Sequence, residues 1–217
     1  MSIWKNGAFS KLFLKKFSWV LARIWDSNWK ESNIYYNARG TGSVNIKEVF
    51  KNTAEGDNKL NSIAESFKDW VDVDKRALEI ARYVNRRMTY KTDFNNYGKT
   101  EYWASPYEVW KSKVDDCDGF AVLIKDLMDK AGIPEFRSKV AAGDTDVGGH
   151  AYVLYLKEHD NEWYTIEGSY HSDEAFNRFH QGIPHMYANR YQRIWFTFRR
   201  DKSWAQHDMI IKGGINE

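Results

Sequence analysis

In three stretches before about residue 130, near residues 9–25, 60–88 and 105–130, apolar side chains recur every three or four positions; beyond it they come in short runs. Phe9, Phe13, Phe17, Val20 and Ile24 share one face of a helix over residues 9 to 25, with Lys11, Lys15, Ser18 and Arg23 largely elsewhere. Ile63, Phe67 and Trp70 mark a short helix, and Ala77, Ile80, Ala81, Val84 and Met88 a longer one opened by Asp72 or Asp74. A loop is expected around Asp93 to Thr100. Ser105-Pro106-Tyr107-Glu108 then has the form of a helix start, with a Ser cap, Pro at the first helical position and Glu at the third. The next helix begins at Asp116 to Asp118, carries Phe120, Ala121, Leu123, Ile124, Leu127 and Met128, and stops at Gly132-Ile133-Pro134.

After that stop the period changes. Phe136 to Ala142, Ala151 to Leu156, Trp163 to Ile166 and Arg193 to Phe198 are short β-branched or aromatic runs broken by Gly, Asn and Asp. Helices first and an antiparallel sheet afterwards predict an α+β domain. Asp26 to Asn58 is polar and rich in Asn, Gly and Ser, and reads as a connecting arm with little core of its own. The expected organisation is residues 1–58 as amphipathic helix and arm, and residues 59–217 as the folded domain.

Composition changes this picture little. With 42% hydrophobic and 29% charged residues an ordinary core is available and wholesale disorder is excluded. A formal charge of +2 gives no bulk electrostatic ground for nucleic-acid binding, and none is expected. The basic, tryptophan-rich N-terminus instead suggests packing on its own domain, docking into a protein assembly, or lying on a membrane surface through residues 9–25. No run of ~18 apolar residues is present to span a membrane. Lys15 and Lys16 break any signal-peptide core, so a cytoplasmic or virion-associated location is expected.

The single cysteine, Cys117, excludes an internal disulfide and is either a packing residue or a nucleophile. It falls in the first turn of an apolar helix, where the dipole and unpaired N–H groups favour thiolate. Asp115, Asp116 and Asp118 oppose this, and a neighbouring imidazolium would have to outweigh them. His150, after Gly148 and Gly149, opens a strand; taken alone it could simply cap that strand. Glu167 closes the next strand, 17 residues on, and would lie beside His150 if the two strands pair as a hairpin. The other five histidines sit in polar surroundings and read as surface or loop residues.

This order, Cys at a helix start, His opening a strand and an acid closing the next, resembles the transglutaminase-like superfamily of papain-like cysteine hydrolases. Tyr102-Trp103-Ala104-Ser105-Pro106-Tyr107-Glu108 resembles its Trp-x-x-Pro-x-Glu segment. Asp116-Cys117-Asp118-Gly119-Phe120-Ala121-Val122-Leu123 resembles its Gly-Asp-Cys-Asp/Glu-Asp-Tyr/Phe-Ala-x-Leu signature, and His150-Ala151 its His-Ala pair. The resemblance covers about residues 70 to 170 and looks closest to the bacterial transglutaminase-like cysteine peptidases. It departs at Asp115, where the family has Gly, and at Glu167, where Asp is typical.

The resemblance implies a papain/transglutaminase-like core, its nucleophile at a helix N-terminus packed on an antiparallel sheet. It implies a Cys117-His150-Glu167 triad acting on a protein or peptide amide, with water or an amine resolving the thioester. The Cys117 N–H would be one oxyanion donor; the Trp103 region supplies another or is simply core, and Asp118 supports the site. Some bacterial relatives bind calcium near the nucleophile, which makes Asp115, Asp116 and Asp118 calcium candidates, or else a helix cap and solvated charges. No other cofactor is expected. The rival from another class is a structural or docking subunit of a larger assembly, with the site weak or silent.

Overall fold

A computed structural model of the chain describes residues 29–39, 42–169, 172–180, 184–185 and 188–205. The helix expected over residues 9 to 25 lies outside them, as do His171 and His207. Ten strands and six α-helices are described: β1 (Lys30–Glu31), β2 (Tyr35–Tyr36), β3 (Val44–Asn45), α1 (Ala54–Glu65), α2 (Val73–Arg87), β4 (Thr89–Tyr90), α3 (Asp93–Tyr97), α4 (Pro106–Ser112), β5 (Val114–Asp115), α5 (Cys117–Lys130), β6 (Ser138–Thr145), β7 (Gly148–Leu156), β8 (Trp163–Ile166), α6 (Asp173–Phe179), β9 (Tyr191–Phe198) and β10 (Ser203–Ala205). An antiparallel six-stranded sheet runs β1-β10-β9-β6-β7-β8. Its companion helices give the α+β class that the change of period predicts.

The helix α5 organises the core. Phe120 to Leu127 are buried on all sides of it, and such a helix needs cover all round. β6 and β7 cover one side; α1, α2 and α4 cover the other. Period-two alternation on β7 sends Ala151, Val153 and Tyr155 into this core. Tyr152, Leu154 and Leu156 join Ala141, Trp163 and Ile194 on the opposite face.

Local chemistry sets the helix boundaries. Thr53 caps α1 through the Gly56 N–H at 3.1 Å, so that helix starts and ends earlier than the 63-67-70 spacing suggests. Phe67 and Trp70 fall in the turns that follow it, Phe67 buried and Trp70 exposed. Asp72 caps α2. The capping box of α4 is complete: Ser105 Oγ accepts from Glu108 N–H, and Glu108 Oε2 accepts from Ser105 N–H at 2.7 Å. The loop expected at Asp93 to Thr100 contains the short helix α3, closed by Gly98 at φ 66°.

The polar stretch before residue 58 is more than an arm. Ile34, Ala38, Ile46, Val49 and Phe50 are buried in the main core, and β1 pairs with β10 at the sheet edge. Its apolar residues are few and irregularly spaced, so composition hid them; each nonetheless joins the main core.

Near the open end of the sheet, the β6–β9 register shifts between Ala142 and Gly143. Gly143 pairs with His150 on the other side. A Cβ at Gly143 would overlap the Arg193 carbonyl oxygen, so the close approach at this bulge requires glycine. Gly143→Ala is expected to cost about 2–3 kcal/mol in urea denaturation. Wild-type stability in that variant would show that the bulge relaxes freely.

Candidate active site

Three elements meet at this end of the sheet. Asp116 caps α5, its Oδ1 accepting the Asp118 N–H at 3.4 Å, which places Cys117 at the first helical position. The parallel pair β4–β5 holds the approach to that cap, with Lys91 N–H on the Asp115 carbonyl at 2.9 Å. β7 runs past the helix start, and the Ala151 N–H meets Cys117 Sγ at 3.4 Å.

β7 and β8 pair antiparallel with Val153 opposite Ile166, so Glu167, one residue further, comes level with Tyr152. His150 is its diagonal neighbour, within reach of a long side chain. His150 Nε2 and Glu167 Oε1 are 2.7 Å apart. Because a buried carboxylate only accepts, Nε2 is the donor in this contact and Nδ1 is the ring nitrogen turned away from Glu167. Glu167 is 3% exposed and also accepts from Ser169 Oγ at 3.1 Å and Tyr191 OH at 3.2 Å. These contacts absorb the extra methylene relative to aspartate.

Cys117 and His150 line one cleft of about 190 Å³ together with Tyr36, Tyr90, Trp103, Asp116 and Asp118. Burial, then Asp116 and Asp118, push the Cys117 thiol well above its ordinary value, with the Ala151 N–H opposing. Trp103 is 2% exposed, packs on Phe196 and Phe198, and donates its indole N–H to Glu101.

Sequence reasoning missed two histidines. His180 Nδ1 hydrogen-bonds the Phe176 carbonyl at 2.7 Å, and its Nε2 accepts the Glu167 backbone N–H at 3.2 Å. Burial lowers His180 to about 4, so it is neutral and fixes the backbone of the acid. His185, 9% exposed, hydrogen-bonds Thr165 and packs on Tyr152, whose ring stacks under His150. Their polar neighbours in sequence gave no sign of this, and among the described three of those five histidines only His159 is exposed as expected. Tyr36 and Tyr90 were also missed, lying in segments that carried no motif.

Acidic groups crowd the helix start. Asp93 Oδ2 accepts the Tyr102 N–H at 2.5 Å, and Asp116 Oδ2 accepts the Asp93 N–H at 3.3 Å. Asp93 Oδ1 and Asp118 Oδ1 are buried without a hydrogen-bond partner. Burial, then Asp116, raise Asp93 to about 7; burial raises Asp115 to about 8.

Asp115 explains its own departure from the family pattern. It is fully buried, taking the Asp116 N–H and the Tyr97 hydroxyl at 2.9 Å each. A Cβ at Gly119 would overlap its carboxyl carbon. The signature's glycine before the cysteine and aspartate after it have thus changed places, and the carboxylate lies against the helix from the other side.

Structures of one bacterial protein share the fold: calcium-bound Legionella pneumophila LapG aligns with TM-score 0.52 at 14% identity, over 69% of this chain and 87% of that one. A second LapG structure gives 0.51 at 16%, over 69% and 87%, and an EGTA-treated one 0.50 at 14%, over 73% and 89%. At these identities the likeness is one of fold, transglutaminase-like. Residues 50–165 match the family model of the bacterial transglutaminase-like cysteine proteinases, and the chain belongs to that family. No curated protein matches it. Among the described residues no helix is long and apolar enough to cross a membrane.

The Asp115–Gly119 exchange is testable as a double-mutant cycle. Asp115→Gly and Gly119→Asp are each expected to cost about 1–3 kcal/mol in urea denaturation. The double variant should recover at least half of the summed loss. Strictly additive losses would show that the two positions do not share one volume.

Proposed function

We propose that the chain hydrolyses peptide bonds in a polypeptide substrate with Cys117 as nucleophile, His150 as base and Glu167 as the orienting acid. The observation that carries this is the Glu167–His150 hydrogen bond of 2.7 Å beside a cysteine held at a helix start by Ala151 N–H. With Nε2–H directed at Glu167, Nδ1 is the nitrogen free to take the thiol proton. The raised thiol makes proton transfer part of the attack, in place of a standing ion pair. Sulfur adds to the carbonyl carbon, the imidazolium returns the proton to the departing amine, and water hydrolyses the thioester. Cys117 N–H, one of the first-turn groups with no intrahelical acceptor, stabilises the oxyanion.

His150→Ala is expected to slow iodoacetamide labelling of Cys117 by about tenfold or more with the melting temperature kept. Glu167→Gln is expected to act in the same direction, since an amide that donates to Nε2 leaves the ring hydrogen on Nδ1, which then has no lone pair for the thiol proton. Equal labelling rates in all three proteins would sink the triad.

Calcium fits the acidic cluster beside the nucleophile. Carboxylate oxygens of Asp93, Glu101 and Asp118 lie within 4.8 Å of one another, as do those of Asp93, Asp115 and Asp116. The partnerless oxygens of Asp93 and Asp118 have the chemistry of hard-cation ligands. When bound, the ion would neutralise the charge that opposes a thiolate. Calcium titration is expected to release heat and raise the melting temperature of wild type, and to do neither in Asp93→Asn. No heat and no shift in wild type would remove calcium from the site.

A further inference from the structure

We propose that the Tyr36 hydroxyl is the second oxyanion donor, acting with the Cys117 backbone N–H on the carbonyl oxygen under attack. This rests on the hydrolase reading above and adds a catalytic group to it. An oxyanion formed by acyl addition is stabilised by donors already in place where its charge develops, and one backbone N–H leaves it half satisfied. The cleft holds few side chains that can donate. Trp103 Nε1–H is engaged by Glu101, and Trp195 Nε1–H by Asp144 Oδ2 at 2.9 Å. Asp116 and Glu101 already accept from Asp93, Asp118 and Trp103, Asp118 belongs to the proposed calcium cluster, and His150 is committed to proton transfer. The tyrosines remain.

Tyr36 is the one built for fixed aim. Its ring stands edge-on to Trp103 at 5.9 Å and against Phe196 at 5.3 Å, so two buried aromatics set its direction. Tyr90, by contrast, is 40% exposed and stacks on Phe120 at the rim. Tyr36 lines the same cleft as Cys117, and no group among the described residues takes its hydroxyl hydrogen. Burial, then Glu101, Asp118 and Cys117, push this phenol strongly upward, so it stays protonated as a donor throughout the working pH range. β2 delivers it from the polar N-terminal segment, which gives that segment a part in the chemistry.

A peptide aldehyde separates this role from nucleophilicity. With N-acetylglycyl-glycinal the sulfur adds to the carbonyl carbon and the π pair moves to oxygen. The thiol proton passes to His150, the negative charge develops on that oxygen, and nothing leaves. The hemithioacetal therefore feels the oxyanion donors, whereas iodoacetamide alkylation, which expels iodide, does not. Aldehyde affinity is read as protection of Cys117 against iodoacetamide. Tyr36→Phe is expected to weaken it about a hundredfold while the unprotected labelling rate stays within about twofold of wild type. That unchanged rate also reports an intact fold. Unchanged aldehyde affinity overturns the proposal, as does an aldehyde that fails to protect wild type. Loss in Tyr90→Phe with Tyr36→Phe unaffected overturns it too and moves the donor to Tyr90. Failure of the hydrolase reading shows separately, as labelling that ignores His150.

Discussion

A helix that is apolar on every side must be covered on every side, and α5 is such a helix. The sheet strands β6 and β7 and the helices α1, α2 and α4 provide the cover, and in doing so they leave its axis no freedom. Its first turn then emerges against Ala151, where a backbone N–H meets the sulfur. The same burial fixes the register of β7: slipping it by one residue would turn Tyr152, Leu154 and Leu156 toward α5 and take His150 from Glu167. Sulfur, imidazole and carboxylate are thus related through three regular elements, α5, β7 and β8, and their shared core.

The cost of this arrangement is electrostatic. Asp93, Glu101, Asp115, Asp116 and Asp118 all converge on the end of α5, where burial raises each of them. The fold retains them because most have a structural task. Asp116 caps the helix with one oxygen and takes the Asp93 N–H with the other; Asp93 takes Tyr102 N–H; Asp115 takes Asp116 N–H and Tyr97. After those tasks are met, one oxygen each of Asp93 and Asp118 is left over. A cap alone would account for Asp116; it does not account for these two.

Which parts were legible in the sequence follows from how locally each is determined. The capping box of α4, the start of α5 and the strand Trp163–Ile166 depend on neighbours within four residues, and they stand where the pattern puts them. The positions of Cys117, His150 and Glu167 were legible for the same reason, since strand pairing converts a 17-residue separation into a diagonal contact. Ile34, Ile46 and Phe50 were not, because isolated apolar residues in a polar stretch carry no period. His180 and His185 were missed because partners that hold them, Glu167 and Thr165, are 13 and 20 residues away in the chain. Tyr36 shares this history: nothing near it in the chain points to the cysteine some eighty positions away.

The departures at Asp115 and Glu167 weaken the resemblance only when letters are compared. In space, Asp115 fills the volume that the missing side chain of Gly119 leaves open. Glu167 reaches further than aspartate, and Ser169, Tyr191 and His150 hold its two oxygens while His180 holds its backbone. In both cases the compensating residue sits in direct contact with the altered one. What the chemistry constrains is where a carboxylate oxygen lies, and a chain can satisfy that from either side of the cysteine or from one methylene further away, provided the neighbours change with it.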